Sequence, residues 1–486
     1  MNTWKRLSAV LAVLLMSGTI RLTSADVVFP PLPADKPDAE WWKEVQAMED
    51  KELLARFYQR VDTLIAKVPA DDSIILDHFR SIRALVVVQM ALMDPPENGH
   101  RWPRDKWAQT FIRRFLFTYT IPGDSDDSKA IFFPRDQGRW FHAYTSRHDD
   151  QMSYCWVFAP RGYWEKHQRE KNRTTKYPLV VDLHGSCGVH GPVWASWHMS
   201  DNPPSRADQA NRDNFTLSVW GRADYRTMAD TDLWQELDWV NATFPIDPDR
   251  RCITGHSLGG AAAWRFATRS PGYWAAVVSN HGTWGDEFKL PWLQENIKDI
   301  PVLFWAGERD SSGPDHAYPV YKAMKAINAN VKLILNPEQG HDGSKIDKEN
   351  IYRWMLSQKR ERPKEFSFVA DSPWYPGRTG IRMYWEPIMS ARPRFTCRIQ
   401  GQKVHIDSEG TPGLWVDLGP DGLGMQGEVT IFWNGKQEAM KKMVPPEEMK
   451  GKDTESNVVK LGLACTACFD GGTVWAWPFG SGKKVR

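Results

Sequence analysis

Gly255-His256-Ser257-Leu258-Gly259 lies between a short β-type run, residues 251–254, and an Ala-rich helical run, residues 258–267. A serine at such a strand-to-helix corner occupies a strained turn, and the small residues around it let the backbone fold that tightly. Its hydroxyl then stands at the top of a sheet, where the free N–H groups of the helix N-terminus point at whatever reacts there. The five-residue pattern alone is common. A strand before it and a helix after it make it specific, and they require a sheet with helices packed on its faces.

The rest of the chain fits that requirement. Residues 140–146 and 152–159 are β-rich and flank His148-Asp149-Asp150, which predicts a hairpin. Residues 179–183 are apolar except for Asp182, as in a strand covered on both faces. A helix is expected over 232–240, strands over 274–278, 302–305 and 331–335, and a closing helix over 351–359. Such alternation predicts a mostly parallel sheet flanked by helices. Upstream, Leu53, Phe57, Val61, Leu64 and Val68 follow the spacing of one helix face, and Pro69 ends the run. Asp72-Ser73 caps a second helix reaching about residue 93, and a third is expected near 107–116. Downstream of 365, short β-type runs at 395–399, 403–406, 414–416, 429–433 and 474–477 alternate with Gly-rich turns. The chain therefore divides into a helical N-terminal unit (36–122), an α/β unit (135–362) and a β-rich C-terminal domain (365–486).

A serine hydroxyl is a poor nucleophile without a base, and the base needs a carboxylate to orient it. In folds of this kind the chain order is serine, acid, histidine. Asp310 follows the strand at 302–305 and His341 follows the one at 331–335, both at the sheet edge where open α/β sheets place their sites. Glu308 and Asp315 are rival acids. Upstream, Leu183-His184-Gly185-Ser186-Cys187-Gly188 matches H-G-x-x-G loops that supply one backbone N–H to an oxyanion, the other coming from Leu258. Ser186 is the preferred donor and Cys187 the alternative. Trp194, Trp197, His281 and Trp284 follow strand ends on the same edge, where rings suit a sugar or an aromatic acyl group. The 25 Trp residues are spread over every segment, so most must be structural.

The N-terminus has Lys5-Arg6, an apolar run over 7–16, and small residues up to Ala25, which reads as a secretory signal peptide (1–25). No Cys precedes Cys155, which excludes a lipid-modified cysteine at the cut. A secreted or periplasmic protein is expected. There the six cysteines (Cys155, Cys187, Cys252, Cys397, Cys465, Cys468) allow up to three disulfides, with Cys465–Cys468 or a bridge from one of these to Cys397 preferred over a zinc site. Asn172, Asn214 and Asn241 head N-x-Thr sequons, meaningful only in a glycosylating pathway. Lys plus Arg total 62 and Asp plus Glu 60; without the leader the count is 59 against 60. That balance gives no reason to expect nucleic acid or an anionic membrane as partner. No motif implies a metal or cofactor, and the oligomeric state stays open.

Three stretches carry a family resemblance: Tyr177-Pro-Leu-Val-Val-Asp-Leu-His-Gly185, residues 246–260 around Ser257, and Phe304-Trp-Ala-Gly-Glu-Arg-Asp310. Over about 139–360 the chain resembles secreted α/β-hydrolases of the prolyl-oligopeptidase-like and feruloyl-esterase-like (polyhydroxybutyrate depolymerase-like) group. The stretch from Ile381 onward is similar to the β-rich module some of them carry. The resemblance implies an α/β-hydrolase fold, Ser257, Asp310 and His341 as a triad, and Ser186 and Leu258 at the oxyanion hole. Cys187 stands where Gly is common, and Trp305-Ala-Gly replaces the usual His-Gly before the acid. The implied activity is that of a serine esterase on small or polysaccharide-borne esters. A peptidase is the alternative within the class, although about 115 helical residues leave no room for the propeller of true prolyl oligopeptidases. A non-catalytic glycan-binding protein is the alternative outside it.

Overall fold

The computed structural model describes residues 47–91, 138–165, 174–185 and 213–462, with short gaps, and a few positions between 112 and 134. The leader at 1–25, Asn172, Ser186, Cys187, Trp194, Trp197, Trp284, Cys465, Cys468 and the expected strand at 474–477 lie outside the described residues.

Helix α1 (Asp50–Lys67) buries Leu53, Phe57, Val61 and Leu64, and ends because Val68 turns extended ahead of Pro69. Helix α2 (Ser73–Ala91) starts where Asp72 Oδ1 accepts the Ile75 N–H at 3.2 Å, an N-cap bond. An eight-stranded sheet follows. Its strands are β1 (Arg139–Thr145), β2 (Met152–Phe158), β3 (Tyr177–Leu183), β4 (Phe215–Val219), β5 (Ile246–His256), β6 (Ala276–Asn280), β7 (Val302–Gly307) and β8 (Val331–Asn336). They lie in the order β1-β2-β4-β3-β5-β6-β7-β8. The β1–β2 hairpin pairs antiparallel to itself and to β4, and all other pairs are parallel. Among the described residues, no helix is long and apolar enough to cross a membrane.

Alternate side chains of each strand serve opposite faces. On one face Val157, Val181, Leu217, Ile253 and Phe304 pack with α3 (Met228–Thr243), α4 (Leu258–Arg269) and, beyond the short α5 (Pro291–Asn296), Val320 and Met324 of α6 (Tyr318–Ile327). On the other face, Phe141, Tyr154, Trp156 and Phe158 cover the apolar stripes of α1 and α2. There too, Val180, Cys252, Val278 and Leu303 cover α7 (Lys348–Leu356). Strand β4 was not expected. Its Phe-Thr-Leu-Ser-Val alternation resembles a half-exposed strand, yet all five residues are buried, Thr216 and Ser218 included.

The C-terminal strands β9 (Glu365–Val369), β12 (Arg394–Gln400), β13 (Lys403–Glu409), β15 (Glu428–Trp433) and β16 (Lys436–Lys442) form a five-stranded sheet. Strands β10 (Gly377–Arg378), β11 (Ile381–Met383), β14 (Gly413–Asp417) and β17 (Val458–Gly462) form a four-stranded one. Their facing side chains, among them Phe368, Phe395, Ile406 and Ile431 against Ile381, Leu414 and Val416, share one core. An ion cluster joins the stretch leading into β9 to the large sheet. Asp249 accepts from Arg360 at 2.8 Å and from Arg362 at 3.0 Å, while Arg360 also donates to the Gly272 carbonyl at 2.7 Å. The Arg360 side chain is only 4% exposed, so Asp249→Ala would leave a buried cation without its counter-charge. The expected cost is about 3 kcal/mol, read as a fall in Tm with no change in KM.

One expectation fails here. Cys155, Cys252 and Cys397 are free and buried, which removes the Cys397 bridge. Each sits on the inner face of a strand as a small apolar group, and burial pushes the Cys252 and Cys397 thiols up to about 12. The sequon residues Asn214 and Asn241 are also engaged. Asn214 is 1% exposed, and the Asn241 amide donates to the Leu237 carbonyl at 2.6 Å and to Tyr273 at 3.0 Å. Neither presents its amide for glycosylation in the folded chain.

His78 fixes α2 to β1. Its Nδ1 accepts the Phe141 N–H at 2.9 Å, so the neutral ring carries its proton on Nε2, 2.8 Å from the Tyr119 hydroxyl. Burial lowers its pKa from 6.5 to about 3. Below pH 6.5 the unfolded chain takes up a proton that the folded chain refuses, so stability is complete above 6.5 and drains away as pH falls toward 3. The gap corresponds to roughly 4–5 kcal/mol. Urea melts of wild type and His78→Phe should therefore diverge in pH dependence across that window.

Candidate active site

Ser257 sits at the corner between β5 and α4 with φ 56° and ψ −119°, a conformation that costs a non-glycine residue energy. Its N–H donates to the Asn280 carbonyl at the end of β6, at 2.8 Å, and its carbonyl accepts the Ala261 N–H at 3.1 Å. The corner is thus held by the neighbouring strand on one side and by the first turn of α4 on the other. Leu258 opens α4, so its N–H has no partner within the helix and is free to face a reacting oxygen.

The two other candidates arrive on loops that are sewn together. Past β7, the Glu308 N–H donates to the Asn336 carbonyl at 3.0 Å and the Arg309 N–H to the Gln339 carbonyl at 2.9 Å. Gly307 is required for this approach, because a Cβ there would lie 2.1 Å from the Gln339 carbonyl oxygen. The result sets Asp310 beside His341. His341 Nδ1 lies 3.0 and 3.1 Å from the two Asp310 carboxylate oxygens, and Nε2 lies 2.7 Å from Ser257 Oγ. The Asp310 side chain is fully buried while the His341 ring is 47% exposed, so the carboxylate is shielded and the imidazole open to an incoming molecule. Glu308 and Asp315 are both exposed, and the carboxylate that meets His341 is that of Asp310. Three residues 53 and 31 positions apart in sequence form one hydrogen-bonded line, with the alcohol at its outer end.

His184 explains how the loop after β3 is held. Its Nε2 accepts the Gly221 N–H at 2.8 Å, which places the ring proton on Nδ1, 2.7 Å from the Gly185 carbonyl. The end of β3 is thereby tied to the end of β4, and Gly185 lies against His256 and Ser257.

His281 does not face the cleft as expected. It is fully buried, with φ 52° that turns the chain back beneath Asp310, and its Nε2 lies 3.8 Å from Asp310 Oδ2. With His256 and His341 it forms a group of three imidazoles whose ring centres are 5.3–5.8 Å apart. Asn280, not anticipated from sequence, holds both the Ser257 N–H and the His281 ring, the latter at 2.6 Å. Its only sequence signal is its position at the C-terminal end of a central strand.

Residues 205–353 match the dienelactone hydrolase family, a span that contains Ser257, Asp310 and His341 but not the loop at 184–188. The fold is an α/β-hydrolase fold. A Yersinia pestis protein assigned as a carboxymethylenebutenolidase is 33% identical over 102 residues, 20% of this chain and 38% of that one. The chain thus spans under two-fifths of the length of the curated relatives it matches. Among solved structures, a ferulic acid esterase is 18% identical over 42% of this chain and 91% of its own, with TM-score 0.34. An S-formylglutathione hydrolase of Staphylococcus aureus is 17% identical over 45% and 98%, with TM-score 0.36.

Proposed function

We propose that this chain is a secreted serine hydrolase that cleaves carboxylic esters through an acyl-enzyme on Ser257. The observation that carries the reading is the line from Ser257 Oγ through both nitrogens of His341 to the buried Asp310, at 2.7 and 3.0 Å. In this reading His341 Nε2 takes the Ser257 proton as Oγ attacks the ester carbonyl carbon. Asp310 holds the imidazolium that forms, and the developing oxyanion meets the Leu258 N–H and one from Ser186 or Cys187. Collapse breaks the carbon–oxygen bond and the leaving alcohol takes the proton from His341. A water molecule then repeats the cycle against the acyl-enzyme and regenerates Ser257. The match to the dienelactone hydrolase family, whose name is that of an ester-cleaving activity, supports ester over amide chemistry. Acylated polysaccharide is the proposed substrate class, on the sequence expectation that rings following the strand ends at 183 and 280 suit a sugar.

The test pairs fluorophosphonate labelling of wild type and Ser257→Ala with a hydrolysis panel of p-nitrophenyl esters, methyl ferulate, acetylated xylan and a prolyl peptide amide. Labelling of wild type alone, with ester turnover, is the expected result. Amide turnover without ester turnover would make the protein a peptidase. Folded wild type that is neither labelled nor active would leave the binding-protein alternative.

A further inference from the structure

The chain leaves β3 between two neighbouring strands, β4 on one side and β5, which leads to Ser257, on the other. His184 is the first residue past β3 and is 6% exposed. Its ring reaches to the β4 side, where Nε2 accepts the Gly221 N–H at 2.8 Å. Tyr225 walls it in. The Tyr225 ring is fully buried, with its centre 5.1 Å from that of the imidazole. It sits so closely on Gly221 that a Cβ at 221 would lie 2.1 Å from it. Tyr225 has φ 58°, and its carbonyl accepts from Arg265 of α4 at 3.2 Å, so the wall is anchored to the helix that follows the nucleophile. Arg265 is in turn gripped by both oxygens of Glu287, at 2.9 and 3.1 Å. With Nε2 used as an acceptor, the neutral His184 ring carries its proton on Nδ1, which donates to the Gly185 carbonyl at 2.7 Å.

A trans peptide unit is planar, and its carbonyl and its N–H point in opposite directions. The Gly185 carbonyl shares one such unit with the N–H of residue 186, so a bond that holds the first aims the second. A carbonyl turned to His184, on the β4 side, sends that N–H toward the β5 side. Gly185 meets the nucleophile corner there: a Cβ on it would come 3.3 Å from the His256 carbonyl oxygen and 3.5 Å from Ser257 Cβ. We propose, resting on the hydrolase reading above, that His184 is a positioning residue whose Nδ1–H fixes the 185–186 peptide so that the Ser186 N–H joins that of Leu258 at the oxyanion. A donor held in place before reaction costs no reorganisation when the charge develops, which is where such donors gain their effect. His184 acts only through the main chain and transfers no proton.

Asparagine and glutamine separate the two bonds of the ring. In His184→Asn the amide nitrogen falls where Nδ1 was, so the donor to Gly185 returns and the Gly221 contact is lost. In His184→Gln the amide reaches the Nε2 position, so the Gly221 contact returns and the donor to Gly185 is lost. The test uses the full-length chain, with active sites counted by fluorophosphonate labelling carried to completion and turnover measured on p-nitrophenyl acetate. His184→Gln should lower kcat per labelled site by about 100-fold with KM nearly unchanged. It should weaken by the same factor the binding of a trifluoromethyl ketone, whose adduct with Ser257 carries the oxyanion. His184→Asn should recover most of both losses. A residue that merely ties β3 to β4 predicts the reverse order, with His184→Gln near wild type, and that result overturns the proposal, as does equal kcat in the two variants. Should the variants not fold, ¹⁵N-histidine NMR of wild type decides: a proton on Nδ1 of His184 is required, and a proton on Nε2 instead overturns the assignment. Wild type that neither labels nor turns over would overturn the hydrolase reading itself.

Discussion

His341→Ala is expected to lower kcat on an activated ester by about 10⁵–10⁶-fold while leaving Tm and KM close to wild type. The size follows from the loss of the base: without it the Ser257 proton has no acceptor, and the nucleophile stays a neutral alcohol. The neutrality toward folding follows from exposure. The His341 ring is 47% exposed, so its removal opens a surface depression and not a closed cavity. Asp310→Asn should cost about 10⁴-fold for a different reason, since an amide N–H facing Nδ1 favours the tautomer with its proton on the wrong nitrogen. Because the two residues act as a unit, the double variant should be no slower than His341→Ala. Stopped-flow measurement of the acylation phase of all three checks this. A double variant a further 10⁴-fold slower would mean that Asp310 acts by a route independent of His341.

Much of this site could be read from the chain before any coordinates, and the reason is mechanical. A nucleophile at a strand-to-helix corner, an acid past one strand and a histidine past the next are positional statements, and strands advertise themselves by apolar runs. Ser257, Asp310 and His341 were legible for that reason. What escaped depends on local dihedrals or on which face of an element looks inward. His281 follows a strand end just as His341 follows one, and nothing in Asn280-His281-Gly282 announces the left-handed turn that buries it. Strand β4 escaped because its Thr and Ser are buried between β2 and β3, where alternation no longer reports exposure. An even number of cysteines behind an expected leader suggests disulfides. Cys155, Cys252 and Cys397 instead occupy inward strand positions, a distinction composition does not carry.

Gly259→Ala tests the corner itself, and it should do so against the usual trend. In an ordinary helix interior the change would be stabilising by up to about 1 kcal/mol. Here a Cβ would lie 2.1 Å from the Leu183 carbonyl oxygen and 2.6 Å from its carbon, with the His184 carbonyl oxygen at 2.7 Å. All three are backbone atoms at the end of β3, a strand with β4 on one side and β5 on the other, so no side-chain rotation relieves the contact. Helix α4 must move away from β3, at a cost of about 3 kcal/mol, a fall in Tm of roughly 6–12 °C. The displacement also carries the Leu258 N–H away from the position of the oxyanion, which should cost a further 10²–10³-fold in kcat per folded molecule. Gly340, beside His341, supplies the comparison: a Cβ there meets nothing within 4 Å, and Gly340→Ala should leave Tm unchanged. Differential scanning calorimetry and site-titrated turnover of the two variants separate the effects. Equal Tm values would mean that the β3–α4 contact is not what makes glycine necessary at 259. A stable loss of turnover in Gly259→Ala alone would mean that the close approach serves the oxyanion donor and not the fold.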